Sequence, residues 1–190
     1  MWISSFYSSC PSGHESNGTS CVPCAIGYYS ASGYVCIPCP IGSSTNMMTG
    51  SVACTPCQGG YFSITTASIS CSICSAGLST GGVSSGATSC VACPPGKYSG
   101  MNGTITCIPC QEGYFNNVPA STSCSLCVAG FSTAGVSSGA LSCVACAPGK
   151  YSVSNGTVVC SSCYAGMVDL AYLIHILYLR FIHFSLYFHL

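Results

Sequence analysis

The fold is decided by the stretch Cys90-Val-Ala-Cys93-Pro-Pro-Gly96-Lys-Tyr-Ser99. Two cysteines stand three positions apart, a glycine follows the second cysteine after three more positions, and an aromatic and a hydroxyl residue come next. The same order of cysteine pair and glycine recurs nine times, with pairs that begin at Cys21, Cys36, Cys54, Cys71, Cys90, Cys107, Cys124, Cys143 and Cys160. A pattern repeated at short intervals predicts a tandem-repeat architecture.

A second, longer period covers three of these units. Residues 57–109 align without gaps on residues 110–162, with 35 identities in 53 positions. The string Gly-Val-Ser-Ser-Gly-Ala begins at Gly82 and again at Gly135. We infer that a block of three units was duplicated.

Composition indicates what holds such a chain together. Cysteine supplies 19 of the 190 residues, and long aliphatic side chains are scattered singly through residues 11–163. This density is typical of a disulfide scaffold that has no large apolar core. The sequence therefore predicts a small, disulfide-rich, irregular β fold, built as an elongated tandem array of short disulfide-closed loops.

Two disulfide pairings suit the spacing: first cysteine to first cysteine in neighbouring pairs, or the second cysteine of one pair to the first of the next. Sequence alone does not decide between them. We favour the second, staggered scheme because it accounts for the odd number of cysteines and leaves Cys163 unpaired. It predicts the bonds Cys10–Cys21, Cys24–Cys36, Cys39–Cys54, Cys57–Cys71, Cys74–Cys90, Cys93–Cys107, Cys110–Cys124, Cys127–Cys143 and Cys146–Cys160.

Zinc is the main alternative role for the cysteines, since two such pairs 15–20 residues apart can supply a four-cysteine site. Nine pairs cannot be divided evenly into two-pair sites, and the basic residues that usually accompany zinc ribbons are scarce. We therefore expect no metal and no cofactor. No nucleophile, base and orienting group can be assembled from the sequence either, so we expect no catalytic residues and no enzyme activity.

Charge limits the classes of partner. Only three residues are Lys or Arg and three are Asp or Glu. Phosphate neutralisation requires several basic side chains, so nucleic acid is excluded as a partner. A protein or glycan ligand of unknown identity remains as the expected partner.

Three Asn-Gly-Thr triplets match the acceptor sequence for N-glycosylation and suit a secreted or cell-surface protein. They begin at Asn17, Asn102 and Asn155, and the last two are one 53-residue period apart. We therefore expect an extracellular glycoprotein.

The phrase Cys-x-x-Cys-x-x-Gly-x-Tyr-Ser, repeated over residues 10–166, resembles the ephrin-receptor-like cysteine-rich repeat. That repeat is related to the cysteine-rich modules of growth-factor and tumour-necrosis-factor receptors. The resemblance implies an extracellular structural stalk or interaction module of a cell-surface or secreted protein. The alternatives are a membrane-anchored surface antigen or receptor ectodomain, and an intracellular zinc-binding protein.

Both ends differ from the repeats. Residues 1–9 lack the basic start and apolar core of a secretory signal peptide, so we expect the chain to be a fragment or to lack its true start. Residues 167–190 form an apolar tail in which residues 170–190 are long enough for one transmembrane helix. Arg180 within that span disfavours insertion, and an aberrant ending of the repeat array is the competing interpretation.

Overall fold

The computed structural model describes residues 9–164, and within them the chain forms short strands and no helix. Every strand pairs with one antiparallel neighbour, so the described residues contain nine two-stranded hairpins. The strands are β1 (His14–Ser16), β2 (Cys21–Pro23), β3 (Tyr28–Tyr29), β4 (Ile37–Pro38), β5 (Ser43–Ser44), β6 (Thr55–Pro56), β7 (Tyr61–Phe62), β8 (Ser72–Ile73), β9 (Leu78–Ser79), β10 (Val91–Ala92), β11 (Lys97–Tyr98), β12 (Ile108–Pro109), β13 (Tyr114–Phe115), β14 (Ser125–Leu126), β15 (Phe131–Ser132), β16 (Val144–Ala145), β17 (Lys150–Tyr151) and β18 (Ser161–Ser162). The predicted small, disulfide-rich β fold is confirmed.

The repeated sequence phrase explains where each strand begins. In Pro94-Pro95-Gly96-Lys97 the amide of Lys97 donates to the carbonyl oxygen of Pro94 at 3.1 Å, and Gly96 has φ +80°. A turn with proline at its second position and positive φ at its third is of type II, which favours glycine at that third position. The chain leaves this turn as β11, and the next cysteine pair brackets its partner β12.

The chain divides into two compact units. Among the described residues, the first comprises residues 9–109 and Asn116–Cys124, and the second comprises Cys110–Phe115 and residues 125–164. Hairpins β1–β2 to β11–β12 belong to the first unit, and hairpins β13–β14 to β17–β18 belong to the second.

The buried residues are cysteines and small hydroxyl residues rather than large aliphatic ones. Seven of the second cysteines of the pairs have 1% exposure or less: Cys24, Cys39, Cys57, Cys74, Cys93, Cys110 and Cys127. Beside them lie the buried hydroxyl residues Ser30, Ser44, Thr45, Ser51, Ser63, Ser79, Thr80, Ser99, Ser132 and Thr133. Isoleucine, valine and leucine side chains lie largely at the surface, which agrees with the composition.

Candidate functional site: the disulfide ladder and its surface

The disulfides close each hairpin and follow the staggered scheme. The S–S bonds join Cys10–Cys21, Cys24–Cys36, Cys39–Cys54, Cys57–Cys71, Cys74–Cys90, Cys93–Cys107, Cys127–Cys143 and Cys146–Cys160. Cys110 and Cys124 are disulfide-bonded as well. The sequence separation across these bonds is 11 to 16 residues, so each bond restricts a loop of the size for which cross-linking is worth about 3 kcal/mol.

Cys163 is the single free thiol in residues 9–164, and its side chain is half-buried. The other cysteines are consumed by disulfides, so the four-cysteine zinc sites that the spacing would allow have no thiolates to build them. No group of three or more His, Cys, Asp or Glu side chains in the described part is arranged to hold a metal ion.

One unit that the sequence pattern did not reveal precedes the first cysteine pair. Cys10-Pro-Ser-Gly13 has the cysteine-to-glycine spacing of the later units, although its first cysteine is missing. Gly13 takes φ +81°, and its amide donates to Ser30 O at 2.6 Å. The Cys-x-x-Gly spacing alone, without the preceding cysteine, was the signal that could have identified it.

Consecutive hairpins are joined by bonds that start at the glycine of each Cys-x-x-Gly step, here called the entry glycine. The amide of entry glycine Gly42 donates to Ser63 O in the next hairpin at 2.8 Å, while Gly42 O accepts the amide of Cys57 at the end of its own hairpin at 2.8 Å. Where the next unit reads Gly-x-Ser-Thr, a threonine hydroxyl can replace the serine carbonyl: Gly27 N–H donates to Thr45 Oγ1 at 2.8 Å. Within each compact unit, a hairpin is therefore tied to the next by its backbone.

A second set of contacts reaches the next hairpin but one. It involves the residue four positions before a cysteine pair, from the pair at Cys54 onward, here called the tip residue; Gly103 is one example. Gly103 N–H donates to Cys74 O at 2.8 Å, and a methyl group on entry glycine Gly60 would lie 2.0 Å from Gly103 O. No side chain fits there. Contacts in this tandem array therefore extend beyond nearest neighbours.

Buried hydroxyls close the hairpin loops from within. Ser99 follows the aromatic residue of its unit and is 0% exposed. Its Oγ donates to Thr104 Oγ1, five residues on, at 2.7 Å, and Ser152 makes the same bond to Thr157 at 2.6 Å. In the described residues no buried polar side-chain atom lacks a partner, so a core of hydroxyls carries little desolvation penalty.

The Asn-Gly-Thr triplets at Asn102 and Asn155 are parts of this network. Asn102 Oδ1 accepts the amide of Ala76 at 2.8 Å, and Asn155 Oδ1 accepts the amide of Ala129 at 2.9 Å. In each triplet the glycine is a tip residue, and the threonine accepts a hydrogen bond from the serine five residues earlier, Ser99 or Ser152. Both asparagines are exposed. Their recurrence after 53 residues therefore has a structural reason in addition to the predicted glycosylation.

Each of the two units carries a shallow cleft on its described surface. The first, of about 260 Å³, is lined by Asn46, Thr55, Pro56, Cys57, Gln58, Tyr61, Ser70 and Cys71. The second, of about 320 Å³, is lined by Phe115, Leu126, Val128, Phe131, Ser142 and Cys143. No carboxylate, imidazole or amine is among these lining residues, so the two clefts offer hydrogen bonds and apolar contact.

The described residues contain no helix that could cross a membrane. The predicted transmembrane segment, residues 170–190, lies outside the described residues, as does the predicted boundary between repeats and tail at residue 166.

Residues 96–141 match the family described as tyrosine-protein kinase ephrin type A/B receptor-like. No curated protein matches the chain. The matched family is a receptor-like cysteine-rich repeat module and not an enzyme family. The many disulfides of this chain fit an extracellular structural module. The match over residues 96–141 and the series of disulfide-closed hairpins together support a cysteine-rich repeat protein similar to the ephrin-receptor-like type.

Proposed function

We propose that this chain acts as an extracellular stalk or interaction module of a cell-surface or secreted protein. The observation that carries the proposal is the ladder of disulfide-closed hairpins. Within a compact unit, each hairpin is hydrogen-bonded to the following hairpin and also contacts the hairpin after that one. Such a ladder limits the unfolding of any single hairpin, because opening one loop breaks contacts with hairpins on both sides. A module of this kind resists proteases and holds whatever it carries at a fixed separation.

The surface suits a support or docking role for neutral ligands. It is nearly free of charge, with a formal net charge of +0, so association would depend on hydrogen bonds and apolar contact. A protein or glycan partner fits this surface better than a polyanion does. The exposed Asn102 and Asn155, if glycosylated, would place carbohydrate at equivalent positions of the two duplicated blocks.

Protease digestion of the full chain tests the stalk role. The oxidised protein should survive a protease dose that destroys the same protein after reduction and thiol blocking. Small-angle scattering of the oxidised protein should give a maximum dimension well beyond that of a compact domain of 190 residues. Rapid digestion of the oxidised form, or a compact scattering profile, would count against the proposal.

Thiol counting separates this function from the zinc-binding alternative. The extracellular module predicts one reactive thiol per chain after denaturation without reductant, and no bound zinc. A zinc protein would instead show many thiols and stoichiometric metal in native material.

A further inference from the structure

The three Asn-Gly-Thr triplets share one sequence but have two structural settings. Residues 16–19 and residues 154–157 both read Ser-Asn-Gly-Thr. In the first, Asn17 occupies an exposed turn between β1 and β2, and a Cβ on Gly18 would have no heavy atom within 4 Å apart from those of its two chain neighbours. In the second, Asn155 binds to another hairpin. A difference in reactivity between Asn17 and Asn155 that is absent from the denatured chain must therefore come from the fold.

At Asn17 the side-chain carbonyl is surrounded by donors of its own turn. Oδ1 accepts the amide of Thr19 at 3.0 Å and the amide of Ser20 at 2.9 Å. The Thr19 hydroxyl donates to the same oxygen at 3.0 Å, and the Ser20 hydroxyl lies 3.4 Å away. Several donors on one carbonyl oxygen stabilise the negative charge that develops there when the carbonyl carbon is attacked.

The attacking group is also less restrained in this turn. Gly18 N–H donates only to the Ser16 hydroxyl, at 3.2 Å. The corresponding amides Gly103 N–H and Gly156 N–H donate to the backbone carbonyls of Cys74 and Cys127, at 2.8 and 2.7 Å. Those bonds join separate hairpins, so the amide cannot leave its partner without disturbing the hairpin contact.

We propose that Asn17 is a site of spontaneous deamidation and isoaspartate formation, and that the fold protects Asn102 and Asn155. The backbone nitrogen of Gly18 loses its proton and forms a bond to Cγ of Asn17, and the electron pair of the C=O bond moves to Oδ1. The proton lost from the Gly18 nitrogen is carried by solvent water to the side-chain nitrogen, and collapse of the intermediate re-forms the C=O bond, expels that nitrogen as ammonia and leaves a five-membered succinimide. One water molecule then opens the ring at either carbonyl, giving aspartate or isoaspartate.

The product changes the chemistry of this part of the surface. It adds one negative charge to a chain with a formal net charge of +0, two positions from Glu15, whose Oε2 accepts the amide of Cys36 at 2.9 Å. The isoaspartate form also adds a carbon to the backbone of the β1–β2 turn. The structure thus assigns a chemical ageing site to the first hairpin.

The test is incubation of the intact, oxidised chain, made in a host that does not attach N-glycans, at mildly alkaline pH. Peptide mapping under acidic conditions follows the ammonia-to-water mass change at each asparagine. The deamidation rate at Asn17 should be at least about ten times the rate at Asn155, because removing one hydrogen-bond donor from a developing oxyanion slows a reaction by that factor or more. In the reduced, denatured chain the two identical tetrapeptides should react at the same rate.

Variants separate the donors from simple exposure. Thr19→Val and Ser20→Ala remove the hydroxyl donors while both backbone donors stay, and they should slow the reaction at Asn17 but not at Asn155. Each rate is divided by the rate of the same variant in its denatured state, which removes the effect of the changed sequence. Equal folded-state rates at Asn17 and Asn155 in the unaltered chain, or a slower rate at Asn17, would overturn the proposal.

Discussion

The two copies of the 53-residue block, residues 57–109 and 110–162, have kept one set of residues and changed another. Of the positions that differ within the described residues 57–109, only Ser63 is buried. Its counterpart Asn116 has the same task, because each side chain hydrogen-bonds to the serine five residues on: Ser63 to Ser68, and Ser121 to Asn116. This contrast between buried and exposed positions shows that the residues packed between hairpins tolerate few substitutions, whereas the residues at the outer surface tolerate many.

One compensated change supports this conclusion. A methyl group on Gly59 would lie 2.5 Å from Ile105 Cδ1. In the second copy the glycine is replaced by Glu112, and the counterpart of the isoleucine is the shorter Val158. The larger residue at one position goes with the smaller residue at the other, as close packing requires.

The largest expected loss of stability comes from removing one disulfide from each copy, which tests whether the two copies are equivalent. The variants Cys74→Ala/Cys90→Ala and Cys127→Ala/Cys143→Ala open loops with the same sequence separation of 16 residues. Each should lower the free energy of unfolding by about 3 kcal/mol, because loop length sets the entropy gained by the unfolded chain. Guanidinium unfolding followed by circular dichroism measures both, and clearly unequal losses would show that the copies differ in more than surface.

The next effect comes from the entry glycines. Gly60→Ala and Gly113→Ala should each destabilise by about 3 kcal/mol, because the methyl group would lie 2.0 or 2.1 Å from a backbone carbonyl oxygen at positive φ. Gly18→Ala is the matched control, with φ +92° and open space around it. It carries only the conformational penalty of about 1 kcal/mol. Equal losses in all three variants would refute the role of the close contact.

A smaller loss of stability should follow from removing a serine hydroxyl that is more deeply buried in one copy than in the other. Ser99 is fully buried, whereas Ser152 is half-buried, although both donate to a threonine five residues on. Ser99→Ala should therefore destabilise by about 1–2 kcal/mol and Ser152→Ala by about half of that, because the hydrogen bonds of the Ser99 hydroxyl are better shielded from water than those of the Ser152 hydroxyl. The melting temperatures of the two variants compare them directly, and the reverse order would contradict the argument.

The smallest effect is a gain in stability. Ala67 and Ala120 occupy tip positions in equivalent hairpins with φ +56° and +57°, where most other units have glycine. Ala67→Gly and Ala120→Gly should each raise the free energy of unfolding by about 0.5 kcal/mol, because relief of the left-handed strain slightly exceeds the added entropy of the unfolded chain. Denaturant midpoints that fall in both variants would show that the alanine methyl group makes a favourable contact.

The covalent part of this structure could be predicted from the sequence, but the packing could not. Cysteine spacing and the odd count led to the staggered bonds, and the glycine that recurs in each unit marks a turn with positive φ, as at Gly96. The buried serines were not predictable, because serine is mostly exposed in proteins and only the stacking of hairpins covers Ser99. The approach of Gly60 to Gly103 depends on the rise and rotation from one hairpin to the next, which no local sequence pattern specifies.

The disulfides also determine how this chain would carry tension. At each hairpin the shortest covalent path crosses the S–S bond, with Cα atoms 5.5 to 5.7 Å apart, and then follows a Cys-x-x-Cys segment that can span at most about 11 Å. The loop of 11 to 16 residues lies off this path and bears no load while the bond is intact. A pulled chain therefore reaches its full length early and resists further extension covalently, and only a reductant would let the loops unravel.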